Sequence, residues 1–413
     1  MKICLIAKYP PIEGGESAKC YWLAKALGKL GHEVHIVTNA YEVEDAYREK
    51  LEGEDLNNAY QPEGVQVHST DPFFNPSYIP YSKPYTEKLA SLAIDVINKY
   101  NLQIIDSWYV LPYVISGFIA KTVTGKPQIM RHAGSDIGKL FFSPYLHTIF
   151  KEVFKRVDKI VTYPSMKKRF VSLGINEEKL FYNTVVSVDP SAFNPSVSPI
   201  DLSKYVEKKA SCDCPVISYI GKLGVTKGIY ELAEAASLIK ENFLLLFVTG
   251  GENLGKFKDY IKEIGLQEKT EFIEFLPPWK IPRLIKASTC VVCPEREFPV
   301  KEHTPILPRE VMAVGNCLVL SKELYTKYRK KVSSHIKDKE NVLVIEPKEI
   351  EKFKNVLETI IKNPTYAEKI GHQAYLTSRK IEKFEKYVDN TIKLYQQVLG
   401  QKEQTHQTKR GSV

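Results

Sequence analysis

Residues 1–38 read MKICLIAKYPPIEGGESAKCYWLAKALGKLGHEVHIVT. Ile3 to Ala7 is an unbroken apolar run of strand length, the pattern of a strand covered on both faces. Pro and Gly crowd the residues from Lys8 to Gly15, so the chain turns there. From Ser17 the apolar positions fall at Ala18, Trp22, Leu23, Ala26, Leu27 and Leu30, the spacing of one helical face. Gly31 suits the left-handed backbone that ends a helix. Glu33 to Thr38 alternates into a second strand. Strand, helix and strand in succession make a β-α-β unit, and that argues for a parallel sheet. The dinucleotide fingerprint G-x-G-x-x-G does not occur here, which disfavours a dehydrogenase. Gly14-Gly15 stands just before the helix. It can bring backbone N–H groups close to a phosphate, or it can be a flexible turn.

The same alternation runs outward from this unit. Helices are expected over 85–100, 113–124 and 146–157, and strands over 104–106, 128–131 and 159–163. The strand over 128–131 ends in His132-Ala133-Gly134-Ser135-Asp136. Ligands of parallel sheets bind beyond the carboxyl ends of strands, so His132 is a candidate site residue, although a lone His often serves packing alone. The Pro- and Tyr-rich stretch 59–85 has little periodicity and is expected to be a long loop. Residues 185–215, rich in Pro, Ser and Asp, mark a domain boundary. Beyond it the pattern restarts, with strands over 216–220, 243–249, 270–275, 289–292 and 317–320 and helices between them. A last helix over 380–399 carries Ile381, Phe384, Val388, Ile392, Tyr395 and Leu399 on one stripe. The polar tail after Gly400 is expected to be disordered.

The chain has 413 residues, 43% of them apolar and 26% charged, enough for two cores. No apolar run is long enough to cross a bilayer, and the first one is too short for a signal peptide. The seven cysteines mostly sit in apolar runs, as reduced packing residues of a cytoplasmic protein do. Cys290-x-x-Cys293 lacks a second pair at zinc spacing, so no metal is expected. The net charge of +9 allows contact with acidic lipid or an anionic substrate. Lys151, Lys155, Arg156, Lys159, Lys167, Lys168 and Arg169 form a basic run. It reads either as a solvated face or as a patch for a membrane surface or anionic substrate. Nucleic acid is not an expected partner, because no basic–aromatic module is present.

Two stretches carry the chemistry. Gly221-Lys222-Leu223-Gly224-Val225-Thr226-Lys227-Gly228 follows the first strand of the second half. Glycines let the backbone approach a diphosphate there, and Lys222 and Lys227 supply positive charge. Further on, Glu302-His303-Thr304-Pro305-Ile306-Leu307-Pro308-Arg309-Glu310 separates two carboxylates by a Pro-interrupted loop. Glu302 belongs to that loop and Glu310 to the first turn of the following helix. Carboxylates accept hydrogen bonds from vicinal hydroxyls, which sugars and riboses both present. The ligand class that fits is a nucleotide diphospho-sugar.

With these residues in place, the chain resembles the family-4 retaining glycosyltransferases of GT-B fold, from Met1 to about Leu399. Gly14-Gly15-Glu16, Leu23-Ala24-Lys25-Ala26-Leu27 and Gly31-His32-Glu33-Val34 look like the family's first loop, helix and strand. Val188-Asp189-Pro190-Ser191-Ala192-Phe193-Asn194-Pro195 is similar to its hinge motif V-D-x-x-x-F-x-P. Ile220-Gly221-Lys222-Leu223 with Lys227-Gly228 matches the phosphate loop. Glu302 and Glu310, continued by Met312-Ala313 and Gly315, fit the family's E-x7-E. Two family features differ. The Asn-Gly before the hinge is Val186-Ser187, and the Phe-Gly inside the glutamate loop is Thr304-Pro305.

The resemblance implies an α/β architecture of two Rossmann-like parallel-sheet domains facing a cleft. Residues 1–190 would form the acceptor side and 191–377 the nucleotide-sugar side. Residues 378–400 would form a helix crossing back, and 401–413 a disordered tail. It implies transfer of a sugar from a nucleotide diphospho-sugar to an acceptor with retention, and without metal or cofactor. Glu310 would hold ribose hydroxyls and Glu302 sugar hydroxyls. Lys222, Lys227 and the backbone of Gly221 and Gly15 would hold the diphosphate. His132 would lie near sugar and acceptor, making Glu302, His132 and Lys227 the catalytic group. The acceptor would be a sugar, a glycolipid or a small metabolite, with the protein cytoplasmic or peripheral at the inner membrane face. Two other readings stay open: a nucleotide-sugar 2-epimerase on the same frame, or a catalytically silent nucleotide-sugar-binding subunit.

Overall fold

The structure is a computed structural model that describes residues 1–72, 84–138, 140–183, 188–206, 214–300 and 303–410. It has two Rossmann-like lobes, each built on a parallel sheet. The first sheet contains β1 (Lys2–Ile6), β2 (Glu33–Thr38), β3 (Val65–Ser69), β4 (Ile104–Trp108), β5 (Gln128–Arg131), β6 (Lys159–Thr162) and β7 (Leu180–Tyr182). Its order is β3-β2-β1-β4-β5-β6-β7. The second contains β8 (Val216–Ile220), β9 (Leu244–Val248), β10 (Thr270–Ile273), β11 (Cys290–Cys293), β12 (Cys317–Ser321) and β13 (Leu343–Ile345). Its order is β10-β9-β8-β11-β12-β13. In both, the order reverses beside the first strand, and that reversal opens the crevice where ligands of such sheets bind.

The central strands read as continuous apolar runs because helices cover both faces. Ile3, Cys4, Leu5 and Ile6 are fully buried, as are Leu245, Leu246, Phe247 and Val248. The loop expected over 59–85 is interrupted by β3, whose Val65-Gln66-Val67-His68-Ser69 alternates and pairs in register with β2. The last helix spans Phe384–Arg410, starting after the expected position and continuing past Gly400. Val186 and Ser187, just before the hinge motif, lie outside the described residues. Within that motif Phe193 is buried and packs edge-on against Trp22 of the first helix, ring centres 5.3 Å apart. One apolar core is continuous from Ile3 and Leu5 through Phe193 to Val311 and Leu320, and it takes in Tyr387 and Tyr395.

Those two tyrosines tie the last helix to the first sheet. Asp106, in the middle of β4, and Arg131, at the end of β5, are both buried, and the guanidinium Nε donates to both carboxylate oxygens at 3.1 and 2.9 Å. The Tyr395 hydroxyl donates to the same carboxylate at 2.6 Å, and Arg131 donates to the Tyr387 hydroxyl at 3.1 Å. A buried ion pair needs such extra hydrogen bonds, since desolvation otherwise outweighs the attraction. On another side the lobes are fastened directly. Lys280 lies between Glu52 at 2.7 Å and Asp55 at 2.9 Å, and the Trp279 indole N–H donates to Asp55 at 2.7 Å.

The basic run of the first lobe is interleaved with acids. Lys155 and Arg156 pair with Glu152, and Lys167 pairs with Glu177. Arg169 donates to the Ile137 carbonyl and lies over the Phe142 ring at 4.7 Å. Next to this run Phe142, Tyr145 and Ile149 are exposed, Tyr145 by 98%. Among the described residues no helix is long and apolar enough to cross a membrane.

Candidate active site between the lobes

A cleft of about 550 Å³ opens where the two crevices face each other. From the first lobe come the start of the helix Gly15–Lys29, with Gly14 and Gly15, then Lys8 after β1 and His132 after β5. From the second come Gly221, Lys222 and Lys227 after β8, Glu295 after β11, and Thr304 to Leu307. The loop Gly221 to Gly228 is pinned at three points. Thr249 donates to the Gly221 carbonyl at 2.7 Å and Tyr219 to the Lys222 carbonyl at 2.6 Å. Gly228 has φ +69°, and a Cβ there would meet the Pro294 carbonyl oxygen at 2.1 Å, so only glycine lets the loop lie on the β11 segment.

Each loop lysine has a carboxylate partner. Lys222 pairs across the cleft with Glu13 at 2.8 Å. Lys227 pairs with Glu295 at 2.5 Å and stands 4.2 Å over the Phe298 ring. Glu295 is buried and also meets His303 at 2.9 Å. Burial alone would raise its pKa, but the His303 hydrogen bond and the Lys227 charge outweigh burial and hold the carboxyl below its usual range. Lys8 is pushed the other way, down, by burial and then by Lys222. Four lysines, Lys8, Lys19, Lys222 and Lys227, therefore line the cleft together with the start of a helix at Gly14 and Gly15. That is an arrangement for a strongly anionic ligand.

His132 is held at both ring nitrogens. Nε2 lies 2.8 Å from the Thr162 hydroxyl and Nδ1 lies 3.2 Å from the Ala133 carbonyl. A carbonyl only accepts, so Nδ1 carries the proton and Nε2 takes the Thr162 hydrogen. Burial lowers its pKa to about 4, so the ring is neutral. Glu310 sits in the first turn of the helix Leu307–Val314 and is buried. Burial pushes its carboxyl up to about 7, partly countered by Arg309. Among the described residues Thr304 to Leu307 line this side of the cleft, and Glu310 is not on its wall. Glu302 lies outside the described residues.

Sequence comparison covers both lobes. Residues 14–182 match the model of Glycosyltransferase Family 4, and residues 205–377 match that of the Glycosyl transferases group 1. The chain belongs to the family-4 glycosyltransferases. It is 27% identical over 338 residues to an uncharacterized glycosyltransferase of Methanocaldococcus jannaschii, covering 78% of this chain and 80% of that protein. Among solved structures it superposes on sucrose-phosphate synthase from Thermosynechococcus elongatus with TM-score 0.65 and 16% identity, over 96% of this chain and 99% of that one. Anabaena HepE in complex with UDP-glucose superposes with TM-score 0.65 and 15% identity, over 98% of this chain and all of that one. These likenesses show the GT-B fold.

In this glycosyltransferase the structure brings Gly15, His132, Gly221, Lys222 and Lys227 to one cleft. Glu310 is buried and is not brought to the cleft wall. Three groups escaped sequence reasoning: Lys8, Glu13 and Glu295. Lys8 is the first residue past the β1 run, at a sheet's ligand-binding end, and that position was its signal. Glu295 follows β11 by two residues, on the same rule. Glu13 sits in a Pro/Gly loop, where nothing local distinguishes it from a solvated carboxylate.

Proposed function

We propose that this glycosyltransferase moves a sugar from a nucleotide diphospho-sugar to an acceptor, with retention and without a metal. The observation that carries this reading is the convergence of Lys8, Lys222 and Lys227 with a helix start on one cleft. HepE was solved with UDP-glucose, and its likeness supports a nucleotide-sugar donor. In this reading an entering diphosphate takes over from Glu13 and Glu295 as partner of the two loop lysines. The lysines then stabilise the charge that grows on the leaving group, an electrostatic task that needs no proton transfer from the protein. The departing phosphate oxygen takes the acceptor's proton as the new bond forms on the same face. Neutral His132 orients hydroxyls at the junction of sugar and acceptor. Glu310 accepts from the ribose and Glu302 from the sugar. The exposed tip Phe142, Tyr145 and Ile149, beside Lys151, gives the first lobe a surface for a membrane interface.

The test is turnover with a panel of UDP-, GDP- and ADP-sugars, followed by NMR of the product. Persistence of activity in EDTA and an unchanged anomeric configuration are expected. Loss on chelation with recovery in magnesium or manganese would overturn the lysine clamp, and an inverted product would overturn retention. Donor interconversion without acceptor would mark an epimerase, and nucleotide binding with no turnover a silent subunit.

A further inference from the structure

Asp136 stands just beyond His132 in the chain and is fully buried. Among the described residues no ion pair offsets that burial. Its carboxylate accepts instead from three backbone N–H groups. One oxygen takes Val110 and Ala133, both at 3.1 Å, and the other takes Ile137 at 2.8 Å. Burial pushes the carboxyl up to about 7, against the pull of those donors. No step of the transfer described above uses this group.

Val110 and Ala133 belong to different loops. Each follows its strand by two residues, Val110 after β4 and Ala133 after β5, so one carboxylate oxygen joins two neighbouring strand ends. Both loops face the cleft, one through Tyr109 and the other through His132 to Gly134. The Tyr109 backbone is strained. Its φ is +74°, a left-handed value that bulky side chains rarely adopt. Such a conformation persists only where the surroundings over-determine it. Here the Tyr109 N–H donates to the Arg131 carbonyl at 3.1 Å, and the next N–H along, that of Val110, goes to Asp136. So held, the Tyr109 ring lies 4.7 Å from the Lys8 ammonium. Lys222 and Lys227 are each placed by a carboxylate. Lys8 forms no ion pair among the described residues, and this ring is what it stands on.

We propose that Asp136 is a positioning residue for the transfer, which sets Tyr109 and the His132 turn at one fixed spacing on the first-lobe wall of the cleft. It touches no substrate and acts through what it holds: the ring beneath Lys8 on one loop, and His132 on the other. The wall then presents a cation and a neutral imidazole at fixed places to the reacting sugar and acceptor. This rests on the reading of the cleft as the place of transfer.

Asp136→Asn in the full chain is the test. The amide keeps one acceptor oxygen and turns an N–H toward the donors, so at least one of the three backbone groups loses its partner. Slight misplacement of positioned groups lowers rates by up to about a hundredfold, and a fall of about tenfold or more in kcat is expected. The donor KM should change less than about threefold, because the loop lysines of the second lobe are untouched. Hydrogen exchange should quicken over residues 108–115 and 131–137 and not elsewhere. Wild-type kcat in the folded variant overturns the proposal, and so does a fall in kcat that comes with a general loss of exchange protection. A second variant covers failure of the first to fold. Tyr109→Gly adopts φ +74° without strain and removes the ring, so the fold should survive while kcat falls about tenfold at an unchanged donor KM. Wild-type kcat in that variant overturns the proposal as well. If the wild type turns over no nucleotide sugar, the transferase reading falls and exchange alone decides. Quickening confined to the two loops in Asp136→Asn then upholds the brace, and unchanged protection removes it.

Discussion

Glu310 is poised between charge states, because burial raises its carboxyl to about 7. Hydroxyls donate best to the ionised form, so a nucleotide held by Glu310 should bind with release of a proton. Affinity for the preferred nucleoside diphosphate should rise about tenfold from pH 6 to pH 8, as the ionised fraction climbs through pH 7. Glu310→Gln should flatten that rise, and calorimetry in buffers of different ionisation enthalpy would show the missing proton. The same shift has a stability side. A carboxyl raised in the folded state favours folding below its unfolded pKa, and that contribution is lost as pH climbs to about 7. Lys227 makes a different case. Lys227→Ala leaves Glu295 a buried carboxylate with His303 as its side-chain partner among the described residues. A loss of about 1–3 kcal/mol in urea unfolding is expected. Adding Glu295→Gln should recover much of that loss without restoring turnover, since neutralising the orphaned acid does not return the ammonium.

At the scale of elements, the last helix does more than cap the surface. Its Tyr395 hydroxyl completes the shell of the Asp106–Arg131 pair, directly under the strand end that carries His132. Tyr395→Phe should cost about 1.5–3 kcal/mol, the range for a hydrogen bond to a charged group, and thermal denaturation measures it. Elements also show what the chain discloses before folding. The central strands β1, β8, β9 and β11 are mostly apolar and were legible as such. The strands that went unread, β3, β7 and β13, all lie at sheet edges. Edge strands are short and half-solvated, so Val65-Gln66-Val67-His68-Ser69 alternates weakly and Leu180-Phe181-Tyr182 offers three residues. The loop after β8 stood out in the sequence because glycine and lysine at a strand end have a specific use. The pairing of Lys227 with Glu295 did not, because it joins residues 68 positions apart through the parallel pairing of β8 with β11.

At the scale of the whole molecule, the first lobe carries the exposed tip Phe142, Tyr145 and Ile149. Three of the seven basic residues in the adjoining run pair with acids and two more donate to carbonyls, so apolar insertion should contribute more than charge to any membrane contact. Vesicle flotation is expected for the wild type and should be lost in the Phe142→Ser, Tyr145→Ser double variant. Serine at Lys167 and Lys168 should change it little. Flotation that depends on the lysines and ignores the aromatics would reverse this assignment.

The tie between Asp106, Arg131 and Tyr395 also bears on how the chain is made. The seven strands of the first sheet have all left the ribosome by Tyr182. Tyr395 emerges only after the entire second lobe. At ordinary synthesis rates of about 5–20 residues per second, that delay is roughly 10–40 s. Throughout it, the newborn first lobe holds a charged pair and an apolar seam that nothing yet covers. The lobe translated first is therefore finished last, and a chaperone that shields that seam would act during translation.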